Sequence, residues 1–128
     1  MNVLLDTHAL LWWLFADRRL SSRAKAVLRD SQNQVSVSSA SAWEIATKYR
    51  LGRLDSARPL VDDFSTLMRK AGFSELPMTS AHAIRAGNWD VEHRDPFDRM
   101  LAAQSSIEDL RLVTRDPVFA DFGLEPIW

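Results

Sequence analysis

Four carboxylates in this chain of 128 residues stand where a fold could gather them: Asp6, Glu44, Asp98 and Asp116. Asp6 follows the apolar run Val3-Leu4-Leu5, and Asp116 comes soon after Leu112-Val113-Thr114, so each marks the end of a candidate strand. Glu44 and Asp98 fall in the opening turns of candidate helices. Each acid also has an ordinary explanation. Glu44 completes the capping-box pattern Ser41-Ala-Trp-Glu44, in which its carboxylate reaches back to the Ser41 backbone N–H. Asp98 follows Asp95-Pro96, an N-cap with proline at the first helical position, and a first-turn acid is favoured by the helix dipole. Asp116-Pro117 repeats the cap-and-proline pair. Asp6 is the hardest to explain this way, because a charge straight after a buried strand with no local basic partner needs a reason.

Taken together the acids say more than any one of them. The ends of Val3–Leu5 and Leu112–Thr114 and the starts of the helices carrying Glu44 and Asp98 all belong at the carboxyl edge of a parallel sheet, where open α/β folds bind ligands. Carboxylates converging there repel unless a divalent cation neutralises them. Oxygen donors without cysteine or clustered histidine suit Mg²⁺ or Mn²⁺ rather than zinc. Such an ion shares phosphate oxygens readily, so phosphodiester hydrolysis is the chemistry this donor set suggests.

The elements that must position these acids read as one α/β layered domain over residues 1–128. Val3–Leu5 shows no alternation, which suits a strand covered on both faces. The apolar stretch Ala9 to Ala16 predicts a helix buried on more than one side. Further helices are expected over 23–31 (capped by Ser21 or Ser22), 42–51, 60–71, 81–87 and from Asp95-Pro96 to about Asp109, with Phe97, Met100, Leu101 and Ile107 inside the last. Strands are expected at 34–38, at 73–78 where Pro77 restricts pairing to an edge, at 112–114 and at 125–128.

Composition narrows the classes. An apolar share of 46% and a charged share of 26% are ordinary for a soluble globular protein. A formal charge of -1 argues against holding nucleic acid by net charge alone, although 16 Lys and Arg side chains leave room for a local basic rim. Without cysteine there is no disulfide, thiolate nucleophile or Cys-ligated zinc site. The opening lacks the basic and small-residue features of a signal peptide, and no apolar run is long enough for a membrane span, so a cytoplasmic location is expected.

Four segments, Leu4-Leu-Asp-Thr-His8, Ser39-Ala-Ser-Ala-Trp-Glu-Ile-Ala46, His93-Arg-Asp-Pro-Phe-Asp-Arg-Met-Leu-Ala-Ala-Gln104 and Leu112-Val-Thr-Arg-Asp116, resemble the PIN-domain ribonucleases, and among them the VapC-like toxins of bacterial toxin–antitoxin pairs. Each segment is a weak match alone; four in order over nearly the whole chain are specific. The resemblance implies a three-layer α/β/α fold around a short, mainly parallel sheet. It implies a Mg²⁺- or Mn²⁺-dependent endoribonuclease whose acidic quartet is Asp6, Glu44, Asp98 and Asp116. It also implies a homodimer held in check by a small DNA-binding, VapB-like antitoxin. In that scheme Asp6 and Asp98 hold the metal, Asp116 and Glu44 complete its shell or order its waters, and Glu44 or Asp116 prepares the attacking water. Thr7 and Thr114 flank the acids, either as hydroxyls bonding ligand carboxylates or as ordinary turn and capping residues.

His8, His82 and His93 are too scattered for a paired-histidine, metal-free cleavage site: His8 reads as a first-turn polar residue and His93 as ordering the loop before its helix. Arg94, Arg99 and Arg115 neighbour acids and either contact phosphate or pair with surplus carboxylates. Trp12, Trp13 and Phe15 are candidates for antitoxin or dimer contact. Two alternatives remain: a catalytically idle module that binds RNA or an antitoxin, and a phosphatase of the haloacid-dehalogenase type. The second suffers from His8 standing where those enzymes place a second aspartate.

Overall fold

The computed structural model describes residues 1–128. Four parallel strands lie in the order β3-β2-β1-β4, with β1 at Asn2–Leu5, β2 at Gln34–Ser38, β3 at Ser74–Leu76 and β4 at Arg111–Val113. Leu5 pairs with Val37 on one side and with Val113 on the other. The chain builds outward from β1 through β2 to β3 and then returns to the far side of β1. This reversal puts the topological switch point at the carboxyl ends of β1 and β4, where Asp6 stands.

Alternation along β1 sorts the core into two layers. Val3 and Leu5 join Val35, Val37 and Val113 in packing against Leu10 of α1 (Thr7–Leu14), Leu28 of α2 (Ser22–Arg29), Ile45 of α3 (Ser39–Arg50) and Met68 of α5 (Phe64–Ala71). Leu4 and Leu112 face the other way, onto Leu101 and Ala102 of α7 (Pro96–Glu108) and onto Phe119 and Phe122 of a closing 3₁₀ turn. Helix α6 (Ser80–Asn88) packs outside α7. The result is the expected three-layer α/β/α arrangement around a short parallel sheet.

The departures from expectation have local causes. The single helix expected over 60–71 is two, α4 (Arg58–Asp62) and α5, because the Asp63 backbone is non-helical and its carboxylate caps Thr66 N. Helix α3 begins at Ser39 rather than at 42, since Ser38 at the end of β2 accepts from Ala40 N and serves as the N-cap. The expected strand at 125–128 is one bridge, Ile127 to Val113, with Thr114 N donating to Ile127 O and Ile127 N to Leu112 O. Ile107, expected inside α7, is exposed, while Phe97 and Met100 are half-buried and Leu101 is buried. The strand expected over 73–78 is an edge strand as anticipated but shorter, ending at Leu76 before Pro77.

Candidate functional site

Asp6 is both the end of β1 and the N-cap of α1. Its Oδ1 accepts from Ala9 N at 2.7 Å, and its Oδ2 accepts from the Thr114 hydroxyl beyond β4. Only 6% of the residue is exposed. Burial raises the carboxyl's proton affinity, against the pull of the Thr114 and Ala9 hydrogen bonds and the His8 charge, and the nearby Glu44 charge adds to the rise. Thr114 also accepts from Asp116 N at 3.0 Å, so one buried hydroxyl ties the β1 acid to the β4 acid's backbone. Of the two threonines singled out in the sequence, Thr114 therefore bonds an acid. Thr7 does not: its hydroxyl donates to Ser41 Oγ at 2.9 Å and joins α1 to α3.

Glu44 is buried, but not as a capping-box residue. With α3 starting at Ser39, it sits in the second turn, too far along to reach the Ser41 N–H as a first-turn cap. Its Oε2 accepts from Lys48 Nζ one turn on. Lys48 escaped the sequence reading, although its i,i+4 spacing from Glu44 is a legible signal.

Asp95 caps α7, accepting from Phe97 N at 2.9 Å and Asp98 N at 3.1 Å. Its structural reading holds. Asp98, half-buried in the first turn, accepts from or shares a proton with His93 Nε2 at 2.8 Å. Its pKa rises to about 6; burial is the main cause, opposed by the His93 hydrogen bond and reinforced by the charges of Asp95 and Glu44. His93 thus lies in the loop before α7, as expected. The loop itself is held by Arg99. Its guanidinium donates to the carbonyls of Ala86, Trp89, Val91 and His93, which removes it from the residues able to meet a phosphate.

Asp116 is exposed and accepts from Val118 N at 3.0 Å, capping the 3₁₀ turn Pro117–Phe122. It shares a crevice of about 380 Å³ with Asp6, His8 and Trp12. Trp12 is buried in the core and shielded by its neighbours, so it leaves the list of partner-contact candidates; Trp13 is half-buried and Phe15 exposed.

The structure thus sets Glu44 within electrostatic range of both Asp6 and Asp98 and puts Asp116 beside Asp6. No three His, Asp or Glu side chains close on a single point; Glu44 meets Lys48 and Asp98 meets His93. The donor set is nevertheless all oxygen and mutually repulsive. Burial raises the proton affinity of two of its members, and an all-oxygen set of this kind fits a hard divalent cation.

Fold and acid-lined edge together define an α/β protein with its polar centre at a sheet switch point. The PIN domain family model matches residues 3–124, and the chain belongs to that family. It is 39% identical over 61 residues to Ribonuclease VapC16 of Mycobacterium tuberculosis, a match covering 48% of this chain and 43% of that protein, less than half of the relative's length. Ribonuclease VapC22 of the same organism is 28% identical over 118 residues, covering 90% of this chain and 87% of the relative. Among solved structures, FitAcB from Neisseria gonorrhoeae superposes with a TM-score of 0.66 at 20% identity, covering 100% of this chain and 97% of that one. VapBC2 from Rickettsia felis, bound to a promoter DNA fragment, gives 0.65 at 13% identity over 95% and 93% of the two chains. At such identities these last two share the fold. No helix is long and apolar enough to cross a membrane.

Proposed function

We propose that this chain is a single-domain, Mg²⁺- or Mn²⁺-dependent endoribonuclease and the toxin of a toxin–antitoxin pair. The observation that carries the proposal is the acid edge itself: Asp6 ends β1 buried and held by Ala9 N and the Thr114 hydroxyl, and Asp116, tied to the same hydroxyl, shares its crevice. Family membership and the two similar ribonucleases support the same reading. Asp6 and Asp98 would hold the ion, with Glu44 and Asp116 completing its shell. When bound, the ion supplies an acidified water and neutralises charge at the phosphoryl oxygen.

The chain's own groups do the rest. Thr114 and the Ala9 N–H fix the Asp6 carboxylate, so little reorganisation is needed when charge develops. Glu44 is drawn to Lys48 by a single contact, and on leaving it presents an oxygen able to take the proton of the attacking water; Asp116 is the other acid that can order that water. His93 holds Asp98 in place from the loop that Arg99 ties down. No side chain needs to act as nucleophile. The solved relatives include toxin–antitoxin complexes, which supports a VapB-like, DNA-binding antitoxin as partner, and a cytoplasmic homodimer completes the reading.

Cleavage of total cellular RNA by the purified, antitoxin-free protein tests it, with Mg²⁺, with Mn²⁺ and with EDTA, beside Asp98→Asn. Discrete fragments that need metal and disappear in the variant are expected. Folded protein that cleaves nothing with either metal would overturn the nuclease reading.

A further inference from the structure

The crevice at the switch point carries two guanidinium groups that do not pair with Asp6, Glu44, Asp98 or Asp116. Trp12 forms its floor, 8% exposed and anchored in the α1 core layer. Arg115 lies with its guanidinium carbon 4.7 Å from the centre of the indole, and that of Arg19 lies 5.0 Å from it. His8 stacks on the same ring at 5.7 Å, and Trp128 meets it edge-on at 5.8 Å. The indole is thus a rigid platform that carries cations by their attraction to its π-face.

The two arginines are held differently. Arg19 gives Nε and Nη2 to the Asp17 carboxylate at 3.1 and 2.8 Å, which orients the guanidinium and leaves Nη1 without a partner. Arg115 is exposed and meets no carboxylate or carbonyl, although Asp116 is its neighbour and Asp6 lines the same crevice. With no bond to a carboxylate or carbonyl, the Arg115 guanidinium keeps its N–H groups available, and that fork matches the oxygens of a phosphate. A crevice of about 380 Å³ falls in the range of small-ligand pockets, and this one opens directly beside Asp6.

We propose that Arg115 and Arg19, carried on Trp12, bind a backbone phosphate of a single-stranded RNA next to the phosphodiester presented to Asp6. This deepens the nuclease reading and rests on it for the identity of the strand. The contact is to the backbone, so it positions the strand without reading its sequence. It also places the basic part of the substrate path on the β4 side of the acids, although the chain as a whole is slightly acidic.

The test measures binding of a short fluorescein-labelled RNA of mixed sequence to Asp98→Asn protein across a series of NaCl concentrations. Adding Arg115→Ala should weaken binding about fivefold to tenfold and reduce the slope of log affinity against log salt by about 0.7, the single-strand value for one lost phosphate contact. Arg115→Lys should recover the slope but not the full affinity, because a point charge replaces the fork. Arg23→Ala, an exposed arginine on α2, serves as the control and should change neither. Unchanged affinity and slope in Arg115→Ala would overturn the proposal, even if the wild type cleaves RNA with metal. The same holds if that substitution weakens only binding to a protein partner. A drop in affinity and slope in a protein that shows no metal-dependent cleavage would instead keep the phosphate site and sink the nuclease reading.

Discussion

Arg99 and Arg115 each adjoin an acid in the sequence, yet the fold gives them opposite tasks. Arg99 spends its donors on four backbone carbonyls, one in the last turn of α6 at Ala86 and three at Trp89, Val91 and His93, tying the irregular loop to the helix before it. Arg115 spends none, and rests on Trp12 at the mouth of the crevice. The same residue type therefore builds the site in one place and remains available in the other. The difference lies in how many acceptors the backbone leaves within reach, not in the neighbouring acid.

The contrast breaks most sharply on stability. Arg99→Ala should cost about 3 kcal/mol, since it removes charge-assisted bonds and leaves several carbonyls unpaired. Cleavage should fall with it, because His93 and the start of α7 lose their support. Arg115→Ala should cost no more than about 1 kcal/mol, the worth of its one exposed cation–π contact with Trp12. A calorimetric scan of both variants checks this. Equal losses would erase the distinction between the two arginines.

Thr114→Val extends the comparison to a group that is both structural and local to the acids. Its hydroxyl donates to the buried Asp6 carboxylate and accepts from Asp116 N, so replacing it should cost about 2 kcal/mol. Denaturant unfolding measures that loss. Thr114→Ser should recover most of it.

A smaller effect, of opposite sign, is expected at Asp98. Its folded pKa of about 6 lies above the ordinary 3.8, so the folded protein binds more protons than the unfolded chain between those values. Metal-free stability should therefore rise as pH falls through about 6 towards 4, as far as this group controls it. Asp98→Asn should remove that slope. At neutral pH it should stabilise the metal-free protein by about 1 kcal/mol, allowing for the part of the carboxylate that water still reaches. Protons compete with a cation for the same oxygens, so metal-dependent cleavage should decline below about pH 6. Unfolding curves in EDTA at several pH values would show the slope, and its persistence in Asp98→Asn would assign it elsewhere.

Much of this molecule was legible in its residues. The unbroken apolar run before Asp6 identified a strand buried on both faces, Asp95-Pro96 marked the start of α7, and Ser21 or Ser22 the start of α2. Pro77 ended the edge strand, because proline has no donor for the ladder. The α3 start was missed because three serines in one short run, Ser38, Ser39 and Ser41, compete as caps. Ser38 prevails over Ser41 since β2 ends there and leaves Ala40 N free. The broken helix at Asp63 was missed for a related reason: helical spacing of apolar residues survives a one-residue break, whereas the hydrogen bonds do not.

The sequence by itself determined the layered α/β class, the parallel sheet and which acids stand at its carboxyl edge, because strand burial and helix starts are written in local patterns. Only the tertiary structure decided what each polar side chain does there. Thr7 turned to Ser41 and Thr114 to Asp6, Glu44 paired with Lys48, Arg99 closed a loop, and Arg115 settled over Trp12. Apart from Lys48, one helical turn from Glu44, those partners come from elements far apart in the chain or from backbone carbonyls whose directions follow from the fold. A hydrogen bond needs a direction as well as a residue type, and direction exists only once the layers have packed.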